Sequence, residues 1–253
     1  MIRKNNLGQI TIFIIIALIL VVVILMLFLL MRKPDLQVQD SENPQAYIDG
    51  CTRQVTEEAV NLLSEQGGDI TPEGSTMFRG RNITYLCYNA NFYQQCIMQR
   101  PDLVNHIENQ ITNYIQPKIE NCFQALNAKL EAKNYDIEMG GMNLKTTLQT
   151  GRITIDVNRN FKMTKREETR SFNNFKSTIS SPLYELAGVA MEISNKEAEY
   201  CSFDILNYMA LYPQYNLDKF RPWPGDTVYR IRDIQTNKEF IFAIRSCALP
   251  AGY

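Results

Sequence analysis

Residues 142–157 read MNLKTTLQTGRITIDV, and the period of this stretch separates a mixed fold from an all-helical one. Met142, Leu144, Thr146 and Leu148 alternate with polar residues, and beyond Gly151 so do Ile153, Ile155 and Val157. A repeat of two is the signature of a half-buried strand, and a glycine between two such runs marks the reversal. With Tyr135–Met139 ahead of them, these segments predict an antiparallel meander.

On both sides the period returns to that of a helix. Upstream, Asn43-Pro44 supplies a capping side chain and a proline at the first helical position. Ile48, Cys51, Val55, Ala59 and Leu62 then recur at three and four residues, and Gly67-Gly68 ends the run. Strands are expected near Thr76–Arg79 and Asn82–Tyr88. Pro101 opens a second helix whose apolar face is Leu103, Val104, Ile107, Ile111, Tyr114, Ile115, Ile119, Cys122 and Leu126, with a kink expected at Pro117. Downstream, Ser180-Ser181-Pro182 starts a helix with the stripe Leu183, Leu186, Ala187, Ala190 and Ile193. A shorter helical segment follows near Phe203–Leu211. Thr227–Ile234 and Glu239–Cys247 pair as a hairpin around Thr236-Asn237. The fold class is α+β, helices packed on antiparallel sheet.

At the N-terminus the character changes. Residues 10–31 (ITIFIIIALILVVVILMLFLLM) carry no charge. As a helix they would be roughly 33 Å long, against about 30 Å for the hydrocarbon core of a bilayer. No small-residue cleavage site follows, so the stretch is read as an uncleaved signal-anchor rather than a signal peptide. Within it only Ala17 is small, which favours a lipid-facing anchor over a tight helix–helix interface. The division expected is a leader at 1–9, the span at 10–31, a linker at 32–43, a helix-rich subdomain at 44–132, and an α+β subdomain at 133–253 holding the meander and C-terminal hairpin.

Charge narrows the function classes. Setting aside Arg3, Lys4, Arg32 and Lys33, which flank the span, leaves 22 of the 26 Lys and Arg against 27 Asp and Glu, a formal charge of −5. No basic run exceeds Lys165-Arg166, so nucleic acid is not an expected partner. The lipid bilayer is, together with a protein partner or self-assembly at the cell surface.

All six cysteines lie C-terminal to the span. An even set confined to one side fits disulfides in an oxidising, extracytoplasmic space, with the N-terminus cytoplasmic. Cys87 and Cys96 bracket a short loop. Cys51 and Cys122 each sit on the apolar stripe of a helix, so a bridge would staple the two helices, and Cys201 with Cys247 remains. Asn82-Ile83-Thr84 is a glycosylation sequon pointing the same way.

Catalytic and metal chemistry find little purchase. There is no C-x-x-C, no G-x-S-x-G, no phosphate-cradling glycine loop, and one histidine. His106 is read as a helix-surface residue rather than as the base of a Cys/His pair with Cys96 or Cys122. No cofactor is expected. The best binding candidate is the loop 87–96, CYNANFYQQC, whose Tyr88, Phe92 and Tyr93 are mixed with Asn and Gln like the residues of recognition loops. The plainer reading, that Phe92 and Tyr93 pack inward to hold the loop, is preferred. Trp223, the single tryptophan, in Arg221-Pro-Trp-Pro-Gly225, is read first as part of a rigid turn and second as a contact patch.

The N-terminal residues Leu7-Gly8-Gln9-Ile10-Thr11-Ile12-Phe13, after Arg3-Lys4, resemble the archaeal class III prepilin signal. That resemblance implies cleavage between Gly8 and Gln9, leaving the apolar helix on the mature chain for assembly into a filament. Phe13 stands where that family usually carries a glutamate. The blocks Tyr85-Leu-Cys-Tyr, Asn105-His-Ile-Glu-Asn-Gln-Ile, Ser181-Pro-Leu-Tyr-Glu-Leu and Phe242-Ala-Ile-Arg-Ser-Cys-Ala-Leu-Pro resemble an uncharacterised family of membrane-anchored proteins of small-genome archaea. This second resemblance implies a cell-surface location and no particular activity. The expectation is a non-enzymatic, anchored surface protein with a structural or partner-binding role. A pilin-like subunit is the next reading, and an anchored envelope enzyme the third.

Overall fold

The computed structural model describes residues 16–23 and 43–250. The chain divides into two units, Met1–Asp40 and Ser41–Tyr253. In the first, residues 16–23 are helical with exposed side chains. The remainder of the apolar span, the Gly8/Gln9 position and the linker up to residue 42 lie outside the described residues. No helix among the described residues is long and apolar enough to cross a membrane.

The second unit begins with a helical hairpin. Helix α1 (Pro44–Ser64) starts where Asn43 Oδ1 accepts from the Ala46 amide at 3.2 Å. Helix α2 (Leu103–Glu131) starts where Asp102 does the same for Asn105, also at 3.2 Å. These side chains satisfy amides that the first turn leaves without a partner. The chain leaves α1 through Gly67 and Gly68, both at positive φ. A Cβ on Gly67 would lie 3.0 Å from Thr84, so the close approach to the next strand requires glycine there.

The faces differ in detail from the sequence pattern. In α1 the buried side is Ile48, Thr52, Thr56, Ala59 and Leu63, turned by one position so that Leu63 and not Leu62 is covered. Packing against two neighbours, α2 and the later strand β6, selects this face, and it takes Thr52 and Thr56 inside without a hydrogen-bond partner for either hydroxyl. In α2 the ridge Ile107, Ile111, Ile115 and Ile119 is fully buried, and Phe123, Leu126 and Leu130 continue it. Pro117 is exposed on the opposite side, and the helix continues to Glu131.

Three contacts fix the hairpin's register. They are the Cys51–Cys122 disulfide (Cα–Cα 6.4 Å), the Lys129 ammonium 4.6 Å from the Tyr47 ring centroid, and Lys118 with Tyr114 on Glu58.

A three-stranded antiparallel sheet covers the hairpin. Strands β4 (Asp136–Gln149), β5 (Arg152–Lys165) and β6 (Glu168–Ser180) pair in that order. The first turn sets Gln149 opposite Arg152, with Gly151 at φ 71°. The segments around Tyr135–Met139 and Met142–Leu148 form one long strand with a bulge at Gly140-Gly141, rather than two strands. Strand β6 is an addition to the expected meander. Its sequence alternates clearly only in its last residues, Phe175, Ser177 and Ile179.

A mixed sheet packs against helix α3 (Leu183–Tyr200). Strands β1 (Ser75–Phe78) and β2 (Arg81–Tyr88) form a hairpin, and β3 (Ile97–Met98) adds to the far end of β2. After α3 come the short helix α4 (Ile205–Leu211), β7 (Tyr215–Phe220), β8 (Thr227–Asp233) and β9 (Glu239–Arg245). The order is β1-β2-β9-β8-β7, with β2 and β9 parallel. Leu183, Leu186, Ala187, Ala190 and Ile193 of α3 are all buried, as their spacing predicts. The β8–β9 hairpin turns with Asn237 at φ 56°, a left-handed conformation asparagine tolerates. One buried core runs from Ile48 to Ile244 and takes members from both sides of residue 132. The fold is α+β with all six cysteines paired.

The aromatic centre of the core is Phe123, fully buried, 5.0 Å edge-on to Phe175 and 6.1 Å from Phe161 between ring centroids. Phe123→Ala removes the ring where helix and sheet meet. We expect a loss of about 3–5 kcal/mol, read as a lower urea midpoint with an unchanged m-value.

Candidate functional site

Loop 87–96 begins where β2 ends. The Cys87–Cys96 bridge closes it (Cα–Cα 5.4 Å), and side-chain amides brace it: Asn89 Nδ2 donates to the Gln95 carbonyl at 2.8 Å, and Asn89 Oδ1 accepts from the Asn91 amide at 2.9 Å. The loop is also stitched to the segment after β9. The Tyr93 amide donates to the Ala248 carbonyl at 2.9 Å and the Cys247 amide to the Gln94 carbonyl at 2.7 Å. Ser246 Oγ accepts from the Cys96 amide at 3.1 Å and donates to the Glu197 carbonyl at 2.8 Å. The third bridge, Cys201–Cys247, ties that segment to the end of α3. All three pairs are those the cysteine positions suggest.

Because backbone and amide groups hold the loop, its rings are not used as internal packing. Phe92 is 44 % exposed and Tyr93 60 %, which corrects the expectation that they turn inward. Arg245 supports the loop from beneath. Its Nη1 donates to the Asn89 carbonyl, and its guanidinium carbon lies 5.3 Å from the Phe92 centroid and 6.0 Å from that of Tyr88. Tyr88, Ile97, Tyr200 and Leu249 are exposed too. Sequence reasoning picked out Tyr88, Phe92 and Tyr93, but Tyr200 and Leu249 reach this surface only through the disulfide and the loop contacts.

Trp223 stands apart on the turn between β7 and β8. Its ring is 59 % exposed, and its Nε1 donates to the Met77 carbonyl at 3.4 Å. A Cβ on Gly225, at φ 88°, would lie 2.6 Å from the Ala248 Cβ, so the turn is pressed against the segment that carries the loop.

Two buried carboxylates brace this region, and neither has a sequence signal. Asp226 Oδ2 accepts from Thr76 Oγ1 at 2.8 Å and from Tyr85 Oη at 2.7 Å. Glu197 Oε1, on α3, accepts from Tyr229 Oη and from Lys219 Nζ at 2.9 Å. Burial, with the adjacent carboxylate, pushes the phenol pKa of both Tyr85 and Tyr229 upward, so both remain donors. Only the alternation of β8 hints at the second cluster, by directing Tyr229 inward.

His106 differs from its expected role. It is not a free surface residue: its Nε2 donates to Asp69 Oδ1, and the Asp69 side chain is 3 % exposed. Thr84 Oγ1 donates to Asp69 Oδ2 at 2.8 Å, and Arg100 Nη2 approaches the same oxygen at 3.3 Å. Burial raises the Asp69 pKa, but hydrogen bonds from His106 and Thr84 and the charge of Arg100 outweigh it and hold the carboxyl below its ordinary value. A pair of His106 with Cys96 or Cys122 is closed off, since both thiols are in disulfides. Asn82 is exposed on β2, while Thr84 of the same sequon is fully buried. Among the described residues, no group of three or more His, Cys, Asp or Glu side chains is placed to hold a metal.

The geometry defines a disulfide-braced α+β domain with an aromatic surface clamped by two adjacent bridges. Compared with protein-family models, curated proteins and solved structures, the chain matches none.

The Asp69 cluster fixes a direction for pH. A carboxyl whose folded pKa is depressed stabilises the fold above its unfolded pKa, about 3.9, and that stabilisation is lost as pH falls through the lower folded value. Thermal melts of the wild type and of Asp69→Asn should therefore differ most above about pH 4 and converge as pH falls from there through the depressed folded value.

Proposed function

We propose that this chain is a single-pass membrane protein whose extracytoplasmic domain presents the loop 87–96 to a protein partner at the cell surface, without catalysing a reaction. The reading is carried by one observation. Tyr88, Phe92 and Tyr93 are exposed on a loop locked by a disulfide and by side-chain amides. Rigid rings held out in solvent lose little entropy on binding, which is what a recognition surface requires.

Anchoring rests on the apolar residues 10–31, whose length suits a bilayer. Location outside the cytoplasm is supported by the pairing of all six cysteines, since such bridges persist in oxidising compartments. Helix α1 would then carry the chain about 31 Å from Pro44 before it meets β2, where the Thr84 amide donates to the Gln66 carbonyl at 3.2 Å. A pilin-like subunit is the second reading, supported by the Leu7-Gly8-Gln9 sequence alone.

Under this proposal the native protein stays in the membrane pellet after alkaline carbonate extraction, and its cysteines resist alkylation until reduced. A photo-crosslinking residue at Phe92 in native membranes gives one discrete protein adduct that the same residue at exposed Lys176, on β6, does not. Equal labelling at both positions would remove the loop from consideration. Mass measurement of the N-terminus distinguishes the two readings: an intact Met1 excludes the processed pilin, and a chain beginning at Gln9 supports it.

A further inference from the structure

The rings of loop 87–96 belong to a larger exposed surface. Tyr88 and Ile97 stand directly opposite each other where β2 pairs with β3, so their side chains share one face, and Ile97 is 69 % exposed. The Arg245 guanidinium carbon lies 6.0 Å from the Tyr88 ring centroid and 5.3 Å from that of Phe92, which places the two rings around one cation. The Tyr93 amide donates to the Ala248 carbonyl, next to exposed Leu249. Gln95 Nε2 donates to the Glu199 carbonyl at 2.6 Å, next to exposed Tyr200. Six large side chains are thus gathered around two adjacent bridges.

Their area is that of an interface. From their exposed fractions, and about 150–250 Å² for a whole aromatic side chain, they present roughly 600 Å². The largest apolar patch of a typical monomer is about 300–600 Å². Each side of a stable interface contributes about 800 Å², of which this surface supplies most.

Charge selects the partner. Residues 87–99 are thirteen consecutive uncharged residues in a domain with a formal charge of −5. Beneath the rings, Arg245 Nε has Asp226 Oδ1 at 3.8 Å. Around the rim the two signs balance. Glu73 and Arg100 line a cleft with Tyr88, and Lys196, its ammonium 5.2 Å from the Tyr200 centroid, stands one turn from Glu199. Beside Leu249 a recess is lined by Lys219 and Arg221 together with Glu197 and Asp226.

We propose that this surface pairs with the same surface of a second copy of the chain. The inference rests on the reading of loop 87–96 as a recognition surface and names its partner. In a two-fold contact each patch meets its own likeness, so a net charge on it would oppose itself. An uncharged centre with a balanced rim removes that opposition, while the net charge of the domain disfavours contact elsewhere. Rings that meet rings gain from edge-on and offset contacts. The two bridges hold the surface preformed, so little order has to be gained on pairing. Other classes fit less well. Interfacial binding to lipid draws on a basic flank, which this rim lacks. A strongly charged protein would find no net charge to match.

Light scattering on the full-length chain in detergent should give twice the mass of one copy. A photo-crosslinking residue at Phe92 in native membranes should give an adduct of twice the chain's mass, joined through residues 87–99 of the second copy. Phe92→Ser combined with Tyr93→Ser should raise the dissociation constant at least tenfold with an unchanged melting curve, because hydrogen bonds rather than these rings hold the loop. Leu206→Ser, which removes an exposed apolar side chain from α4, should leave the constant unchanged. The proposal is overturned by a chain that stays single at every concentration, by a dimer indifferent to the double substitution, or by equal weakening with Leu206→Ser. A Phe92 adduct with a different protein overturns the second-copy assignment and leaves the recognition reading standing. An adduct with lipid, or labelling no greater than at Lys176, removes both.

Discussion

The ridge Ile107–Ile111–Ile115–Ile119 on α2 is the seam against which the domain assembles. Four β-branched side chains at intervals of four residues, each fully buried, allow α1 to pack on one side and β4 on another. An i±4 ridge of this kind is the usual element of close helix packing. Where the ridge continues, Phe123 and Arg159 meet: the guanidinium carbon lies 4.7 Å from the ring centroid, and Arg159 Nη1 donates to Glu120 at 2.7 Å. An arginine thus enters the helix–sheet interface with its charge paired to Glu120 and its flat face on Phe123, while its Nε is buried without a partner.

The three disulfides divide the work of bracing unequally. Cys51–Cys122 joins two helices that already pack, across 71 residues of chain, and acts mainly by restricting the unfolded state. Cys87–Cys96 and Cys201–Cys247 lie side by side and hold a segment with little apolar surface turned inward. Around them, hydrogen bonds to Ser246, Ala248 and Gln94 replace hydrophobic packing. That substitution frees Phe92 and Tyr93 for the surface, so the loop's stability and its exposure have the same cause.

The buried acids follow a related logic. Asp69, Asp226 and Glu197 each lie under a surface strand or loop and collect donors from distant parts of the chain: His106, Thr84 and Arg100; Thr76 and Tyr85; Tyr229 and Lys219. A buried carboxylate without such donors would cost several kcal/mol, so these groups pin strands to one another as much as they occupy space. Two of them, Glu197 and Asp226, line one recess together with Cys201 and Cys247.

Local pattern carried much of the domain by itself. The starts of α1, α2 and α3, the β4–β5 turn at Gly151 and the β8–β9 hairpin all follow from spacing, caps and turn residues, because each depends on neighbours a few positions away or on a stripe with one clear face; the disulfide pairing matches the one favoured among the fifteen that six cysteines allow. The processing position at Gly8/Gln9 and the apolar span rest on sequence alone. Tertiary structure decided what no short window contains. The parallel pairing of β2 with β9 joins strands far apart in the chain, and β6 completes its sheet with little alternation of its own. The face of α1 was chosen by two packing partners rather than by its apolar residues, which drew Thr52 and Thr56 inside. His106 found Asp69, and Tyr229 found Glu197, only once helices and strands had crossed. Side-chain periodicity is set by the backbone within a few residues, whereas the partner of a buried polar group is set by whichever distant element folding brings within 3 Å of it.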